Sequence, residues 1–170
     1  MKTVIIDTSS AILLFKSGII SNFLSAYNVA MTKSVQDEIL QEGYPGSKEF
    51  KNYFKRKSIK LISGEKITQT NSTGLLKLDK GERDSIYVYL NGTGDFVVID
   101  DGQGASFCKK EKIPYINALL VPRILFESQK ISHHVFKTKM SMIIGIGRYT
   151  QPIIDYAHNC SNKDLESFLP

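Results

Sequence analysis

The chain has 170 residues, a length that accommodates one folded domain with a hydrophobic core. Hydrophobic residues make up 42% and charged residues 23% of the chain, which is the composition of an ordinary globular protein and argues against a disordered or fibrous one. The formal net charge of +5 is compatible with a nucleic-acid partner but is too modest to identify one.

Cysteine usage and hydropathy narrow the class further. Cys108 and Cys160 have no paired spacing, which argues against a zinc site and against a disulfide framework, so we expect a reducing, cytoplasmic compartment. Asp7 interrupts the apolar N-terminal stretch and no small-residue cleavage site follows, so we do not interpret that stretch as a signal peptide. Met140–Gly147 is apolar but too short to span a bilayer, and no membrane partner is expected.

Hydrophobic periodicity and turn residues predict strands and helices in alternation. Short links between them predict an α/β fold whose central parallel sheet has right-handed crossovers. Ile59–Ile62 is predicted as a strand or an extended link, and Ile67–Leu76 as mostly loop or a weak helix. The remaining predicted elements, in chain order, are strand Thr3–Asp7, helix Ala11–Lys16 capped by Ser9 or Ser10, strand Asn28–Met31, a helix from cap Thr32 or Ser34 to about Gln41, helix Ser47–Lys57, helix Asp79–Leu90, strand Asp95–Ile99, helix Gly102–Lys112, strand Pro114–Asn117 and helix Ala118–Ser128.

The C-terminal residues differ from this pattern, because Ser132–Pro170 has helical periodicity but no clear strand. We therefore divide the chain into an α/β domain over residues 1–130 and a helical extension over residues 131–170. The extension has too many apolar residues for a solvated appendage, and such surfaces usually mark an interface. We expect its helices to pack on the core or on a second subunit, and a homodimer is favoured.

Acidic residues follow two of the predicted strands. Asp7 comes directly after Val4–Ile6, and Asp100 and Asp101 come directly after Phe96–Ile99. Because ligands of parallel sheets bind outside the carboxyl ends of the strands, we expect these acids to meet in one cleft. Crowded carboxylates repel each other unless a cation lies between them, and sites with only oxygen ligands suit Mg²⁺ or Mn²⁺. The sequence therefore indicates metal-dependent chemistry on phosphate.

Further acids to be considered lie on predicted helices. Glu38 neighbours a buried helix face, although its position is equally compatible with a solvated helix acid. Asp79 and Glu82 have nearly the spacing of a capping box, so Glu82 either caps its helix or joins the cleft. Asp84 has no capping role and is predicted near the inward face at the start of the helix. One aspartate suffices to cap the helix after Asp101, which leaves the other member of that pair for the site.

The segment Phe50–Lys57 combines aromatic and basic residues. Its cations Lys51, Lys55 and Arg56 are candidates for contacts with a nucleic-acid backbone. The alternative is an amphipathic helix whose aromatic residues are buried and whose lysines are solvated, and the sequence favours this alternative.

Taken together, these residues resemble the PIN domain, the nuclease fold shared by VapC-type toxins and many other RNA-cleaving proteins. The resemblance covers about Met1–Lys130. The Gly-Glu-x-acid and Ile-Asp-Asp pieces are most similar to a prokaryotic subgroup that carries a C-terminal extension. The motifs that carry the resemblance are Val4-Ile5-Ile6-Asp7-Thr8-Ser9, Gln36-Asp37-Glu38-Ile39, Gly81-Glu82-Arg83-Asp84-Ser85-Ile86 and Val98-Ile99-Asp100-Asp101.

The resemblance implies a three-layer α/β/α sandwich and a set of site residues. Ser9 matches a small polar residue that often supports the first aspartate. A basic residue tends to follow the Asp-Asp pair in the subgroup, whereas this chain has Gly102–Ala105 there, with Lys109 and Lys110 as candidate substitutes in nucleic-acid binding. The implied catalytic acids are Asp7, Glu38, Asp84 and Asp100, and the implied metal ligands are these four with Asp101 and Glu82.

The activity implied is that of a Mg²⁺- or Mn²⁺-dependent endoribonuclease acting on single-stranded or structured RNA. Membership in a toxin–antitoxin pair, with an antitoxin protein as partner, is the corresponding biological expectation. The alternative is a catalytically degenerate PIN domain that serves as an RNA- or protein-binding scaffold. A haloacid-dehalogenase phosphatase is disfavoured, because it needs a second aspartate two residues after the first, where this chain has Ser9.

Overall fold

The computed structural model describes residues 1–62 and 74–170. Within these residues, five strands form one parallel sheet in the order β3-β2-β1-β4-β5. The central strand β1 pairs Ile5 with Ala30 of β2 on one side and with Val97 of β4 on the other. The strands are β1 Thr3–Ile6, β2 Asn28–Thr32, β3 Ile59–Ile62, β4 Phe96–Val98 and β5 Tyr115–Ile116.

Helices connect the strands and continue beyond the last one. Among the described residues, no single helix has the length and hydropathy to cross a membrane; α1 and α2, bent by 117° relative to each other, pass that test together on length and composition alone. The helices are α1 Thr8–Lys16, α2 Ile20–Ala26, α3 Lys33–Ile39, α4 Ser47–Lys55, α5 Lys80–Leu90, α6 Gly102–Lys110, α7 Val121–Glu127, α8 His133–Ile146, α9 Gln151–Asn159 and α10 Asn162–Leu165.

The two faces of the sheet are covered by different helices. In and after β4, Phe96 and Val98 belong to a large hydrophobic core, whereas Val97 and Ile99 belong to a smaller one. This alternation follows from the two-residue period of a strand, which directs successive side chains to opposite faces. The large core includes buried residues of α1, α2, α7 and α8, and the smaller core includes buried residues of α5 and α6. The predicted three-layer α/β/α sandwich is therefore confirmed.

The strand order creates a cleft at one edge of the sheet. The chain moves outward from β1 to β2 and β3, then crosses to β4 on the other side of β1. The direction of progress reverses between β1 and β4, and in sheets of this kind such a reversal leaves a crevice at the carboxyl ends of the two strands. Asp7 and Asp100 follow these two strands, so the topology places them at that crevice.

Differences from the sequence prediction have local physical reasons. Helix α2 was not predicted, because serines and an asparagine interrupt its apolar pattern in the sequence. Its buried face is formed by Ile20, Phe23 and Ala26. Helix α1 begins at Thr8 with Asp7 as its cap, so the predicted start at Ala11 with Ser9 or Ser10 as cap was wrong. The predicted loop or weak helix at Ile67–Leu76 lies largely outside the described residues.

The C-terminal extension packs on the same core as the sheet. Phe136, Met140 and Ile143 of α8 are buried in the large core, and Phe136 stacks on Phe126 of α7 with ring centroids 5.1 Å apart. Buried side chains of α9 and α10 join the same core. Four large apolar side chains of α8 and α9 remain more than a third exposed: Met142, Ile146, Ile153 and Tyr156.

We expect Phe136→Ala to lower the free energy of unfolding by about 3–5 kcal/mol, because it removes a buried aromatic ring and leaves a cavity. Ile153→Ala is the matched control, since Ile153 is 39% exposed on α9. Urea unfolding of the two variants measures the difference. Equal midpoints for Phe136→Ala and the wild type would show that α8 does not contribute to the core.

Candidate active site

Asp7 lies at the end of β1, and its side chain is almost completely enclosed. It is 2% exposed and caps helix α1, with its Oδ1 accepting a hydrogen bond from the Ser10 amide at 2.9 Å. Its Oδ2 accepts a hydrogen bond from the Ser9 hydroxyl at 2.7 Å. Asp7 thus serves as a helix cap, and both of its oxygens are held below the surface of the crevice; the side chain does not itself line the cleft.

Asp100 follows β4 on the other side of the crevice. Its Oδ2 accepts a hydrogen bond from the Ala118 amide at 2.9 Å, and its Oδ1 accepts one from the hydroxyl of Tyr149. The buried Ser10 hydroxyl lies close enough to Asp7 and Asp100 to lower the pKa of both carboxyls. Within the described residues, however, that hydroxyl forms no hydrogen bond of ordinary geometry. A buried polar atom without a partner therefore lies beside the two aspartates.

Asp101 and Glu82 form the next part of the acidic cluster. Asp101 caps α6, its Oδ1 accepting hydrogen bonds from the amides of Gln103 at 2.7 Å and Gly104 at 3.4 Å. Glu82, in the first turn of α5, is only 8% exposed. A Cβ atom on Gly104 would lie 3.6 Å from the Glu82 carboxyl carbon and only 2.4 Å from Ile99, so a glycine there lets α6 approach closely. Glu82 also keeps part of its predicted capping position, because the Asp79 amide lies close enough to lower the pKa of its carboxyl.

The electrostatics of the cluster show that these carboxyls influence each other. Burial, followed by the negative charge of Asp100, raises the pKa of Asp7 to about 7. Burial, followed by the charges of Asp101 and Asp7, raises the pKa of Glu82 to about 7. Burial also raises the pKa of Asp100, an effect that the hydrogen bond from Tyr149 opposes. Uncompensated negative charge is therefore concentrated at this edge of the sheet.

A cleft of about 520 Å³ opens onto the cluster. Its walls come from the starts of α1, α5 and α6 and from the segment that follows α8. The residues that line it are Ser9, Ile12, Leu13, Asp79, Glu82, Asp100, Asp101, Gly102, Ile146, Gly147, Arg148 and Tyr149.

The other two predicted acids, Glu38 and Asp84, lie in different places relative to the acidic cluster. Glu38 accepts a hydrogen bond from the Thr8 hydroxyl at 2.7 Å, and a Cβ atom on Gly81 would lie 3.5 Å from its Oε2, so Glu38 lies beside the cluster. Asp84 does not line the cleft and instead lies 4.0 Å from the guanidinium of Arg83. The helical period explains the difference, because residues 82 and 84 are about 200° apart around α5.

The predicted nucleic-acid-binding cations lie outside the cleft. Lys51, Lys55 and Arg56 are exposed on or just after α4, while Phe50 is buried, as in the amphipathic alternative. Lys109 and Lys110 are in the last turn of α6, about 12 Å along the helix axis from the end that Asp101 caps. Their role in nucleic-acid binding stays a prediction.

Sequence reasoning did not find Thr8, Ser10, Arg148 or Tyr149. Thr8 and Ser10 flank the predicted residue Ser9, and their nearness to Asp7 in the sequence was the available signal. Tyr149 is 49 residues from its partner Asp100, and no local pattern joins them.

Comparison with known protein families shows which family the chain belongs to. The family model described as "DUF3368: PIN domain" matches residues 3–154. The chain belongs to the PIN-domain family. No curated protein and no solved structure matches it. PIN domains are generally nucleases, and the matched region of this one continues past residue 130 through α8 and into α9.

The acidic cluster of this PIN domain suits a hard divalent cation by its chemistry. All its donors are oxygens, the carboxyls raise one another's pKa values, and a buried hydroxyl, that of Ser10, lies beside Asp7 and Asp100. In the described part of the chain, no three His, Cys, Asp or Glu side chains converge closely enough to hold an ion between them. Mg²⁺ is nevertheless commonly bound through one or two carboxylates and several waters, and the carboxyls of Glu82, Asp100 and Asp101 line this open cleft.

Proposed function

We propose that this PIN domain is a Mg²⁺- or Mn²⁺-dependent endoribonuclease. The observation that carries the proposal is the group of buried carboxyls at the switch point of the sheet, where the pKa values of Asp7 and Glu82 are both raised to about 7. Structural ion pairs would neutralise such charges, whereas here the nearest charged neighbours are other acids. A divalent cation and a phosphate substrate are the natural complement.

In this proposal, Asp7, Glu82, Asp100 and Asp101 hold the ion, and Glu38 supports the cluster through Thr8. A bound divalent cation would neutralise the negative charge that develops on the phosphate during hydrolysis. Ser9 and the Ser10 amide fix the orientation of Asp7, and the Ala118 amide fixes that of Asp100. The open cleft admits a nucleic-acid strand, and RNA is chosen over DNA by family analogy alone.

A catalytically inactive scaffold is the second candidate. It is favoured by the lack, among the residues that the structure describes, of three side chains that converge as ready metal ligands. The two candidates differ in one measurable property, because only the nuclease cleaves RNA in a way that depends on a divalent ion.

We expect purified protein to cleave single-stranded RNA with Mn²⁺ or Mg²⁺ and to lose this activity in EDTA. Asp7→Asn, which keeps a capping side chain, should lower the cleavage rate more than about 100-fold, since it removes charge from the centre of the cluster. Asp37→Asn is the matched control, because Asp37 is exposed on α3 and pairs with Lys33. Cleavage that persists in EDTA, or that Asp7→Asn leaves intact, would contradict the nuclease proposal.

We propose that the protein is the toxin of a toxin–antitoxin pair. In this role it acts on cytoplasmic RNA and is inhibited by an antitoxin protein. Induced expression in a bacterial host should arrest growth with the wild type and not with Asp7→Asn. Growth arrest by both proteins would show that the toxicity does not depend on the acidic cluster.

We also propose a homodimer, formed through the exposed apolar side chains of α8 and α9. Met142, Ile146, Ile153 and Tyr156 are 39–50% exposed, and exposed apolar groups of this size favour an interface. Light scattering measures the mass in solution, and a monomer at all concentrations would refute the dimer.

A further inference from the structure

The segment between α8 and α9 contacts an acid of the cleft directly. The hydroxyl of Tyr149 donates a hydrogen bond to Oδ1 of Asp100, while the Ala118 amide donates one to Oδ2 at 2.9 Å. Each carboxylate oxygen is therefore held by a donor from a different part of the chain. A carboxylate held at both oxygens cannot rotate freely, so Tyr149 fixes the direction in which Asp100 presents its remaining lone pairs.

The position of the Tyr149 ring depends on Gly147. A Cβ atom at residue 147 would lie 2.3 Å from Cε2 of Tyr149 and 2.9 Å from the carbonyl oxygen of Ile143. The ring therefore packs directly on the glycine backbone, where any side chain would displace it. The Gly147 amide donates a hydrogen bond to Ile143 at 2.8 Å and ends α8, and Ile143 itself is fully buried. The core thus anchors the tyrosine through the end of α8.

Arg148 lies between these two residues and lines the same cleft as Asp100, Asp101 and Gly102. Its side chain is exposed, and in the described part of the chain it forms no ion pair, whereas Arg83 and Arg123 each have an acidic partner. A guanidinium without a protein partner, placed at the rim of an acidic cleft, retains its donors for a ligand. Phosphate is the ligand whose geometry suits that fork best.

We propose that Gly147–Tyr149 completes the active site, with Tyr149 as a positioning residue for Asp100 and Arg148 as a contact for the substrate's phosphate. This inference rests on the proposed nuclease function. It gives the C-terminal extension a part in the site, in addition to its packing on the core. It also supplies a cation at the Asp100–Gly102 edge, which lacks one in the local sequence.

Isothermal titration with Mn²⁺ alone tests the role of Tyr149. Tyr149→Phe keeps the ring and removes only the hydroxyl, and we expect it to weaken Mn²⁺ binding about tenfold, the effect typical of a group that orients a metal ligand. In cleavage assays, its kcat should fall more than its KM changes. Gly147→Ala, which displaces the ring, should act in the same direction. Tyr89→Phe is the control, because Tyr89 is half-buried on α5 and does not line the cleft.

RNA affinity tests the role of Arg148, measured by fluorescence anisotropy with Ca²⁺ in place of Mn²⁺. We expect Arg148→Ala to weaken binding severalfold and to reduce the slope of log affinity against log salt by about one. Lys137→Ala makes the same change of charge on the exposed side of α8 and should leave affinity nearly unchanged. Arg148→Lys should recover part of the affinity but not all of it, because an ammonium lacks the two-pronged contact.

The outcomes separate this inference from the proposed function. A wild type that binds no Mn²⁺ and cleaves no RNA overturns both. A wild type that does both, with Tyr149→Phe matching Tyr89→Phe and Arg148→Ala matching Lys137→Ala, overturns only the inference. Equal loss in Arg148→Ala and Lys137→Ala would show that only net charge matters and would remove Arg148 from the site.

Discussion

Glu82→Gln is expected to lower metal-dependent RNA cleavage more than about 100-fold, whereas Asp84→Asn should lower it less than about threefold. The structure supplies the physical reason. Glu82 lines the cleft and is close enough to Asp7 and Asp101 for their charges to raise its pKa, while Asp84 lies away from the cleft beside Arg83. Both substitutions neutralise one acid in the same two turns of α5, so their difference reports position and not overall charge.

Two measurements check this expectation. Initial rates on a fluorogenic single-stranded RNA give kcat/KM, and calorimetry gives the affinity for Mn²⁺ in the absence of RNA. Both should fall in Glu82→Gln and stay near the wild type in Asp84→Asn. The reverse pattern would mean that Asp84, which the resemblance implies as a catalytic acid and, like Glu82, as a metal ligand, enters the site when the ion binds.

The sequence predicts the segment that contributes an acid from α5 to the site, but it does not predict whether that acid is Glu82 or Asp84. The Gly81–Ile86 motif identifies the segment through its resemblance to the PIN domain, because an acid at the start of a helix has ordinary structural reasons to be there as well. It does not identify the residue, since the capping role of Glu82 and the catalytic role are compatible with the same spacing. In the structure, the Asp79 amide lies close enough to Glu82 to lower the pKa of its carboxyl, while the charges of Asp101 and Asp7 raise it, so the two roles are compatible.

The strand ends were predictable for a simpler reason. Val4–Ile6 and Phe96–Ile99 are continuously apolar, and continuous apolar runs mark strands that are buried on both faces. Once these strands are parallel, the acids that follow them lie at one edge, and the paired register of Ile6 with Val98 places Asp7 close to Asp100. The local apolar pattern and the sheet topology were therefore sufficient to predict that Asp7 and Asp100 lie close together.

The contribution of Tyr149 was not predictable in this way. Its contact with Asp100 depends on the path of α8 across the core, which is set by the burial of Phe136, Met140 and Ile143. The sequence shows that these residues are apolar and that the extension must pack somewhere. It does not show which face of the sheet α8 covers, because tertiary packing and not periodicity decides that.

Stability of the metal-free protein should depend on pH through the same carboxyls. In the folded chain, the pKa of Asp7 and that of Glu82 are raised to about 7, from ordinary values of 3.8 and 4.5. Between about pH 4 and pH 7 the folded state therefore binds more protons than the unfolded state, and the free energy of unfolding falls as the pH rises. For Asp7 alone the loss by pH 8 is on the order of 4 kcal/mol, at 1.36 kcal/mol per unit.

We therefore expect Asp7→Asn to melt at a higher temperature than the wild type at pH 8 without metal, and at nearly the same temperature at pH 5, where Asp7 is already neutral. Adding Mn²⁺ at pH 8 should narrow the difference, since binding to the folded wild type adds about 2.7 kcal/mol at a hundredfold excess over Kd and so offsets most of that loss. Thermal melts of both proteins, with Asp37→Asn as an exposed-acid control, provide the measurement. The comparison between variants cancels the pH dependence of the groups that do not interact with Asp7, so a constant difference from pH 5 to pH 8 would show that Asp7 carries no electrostatic strain.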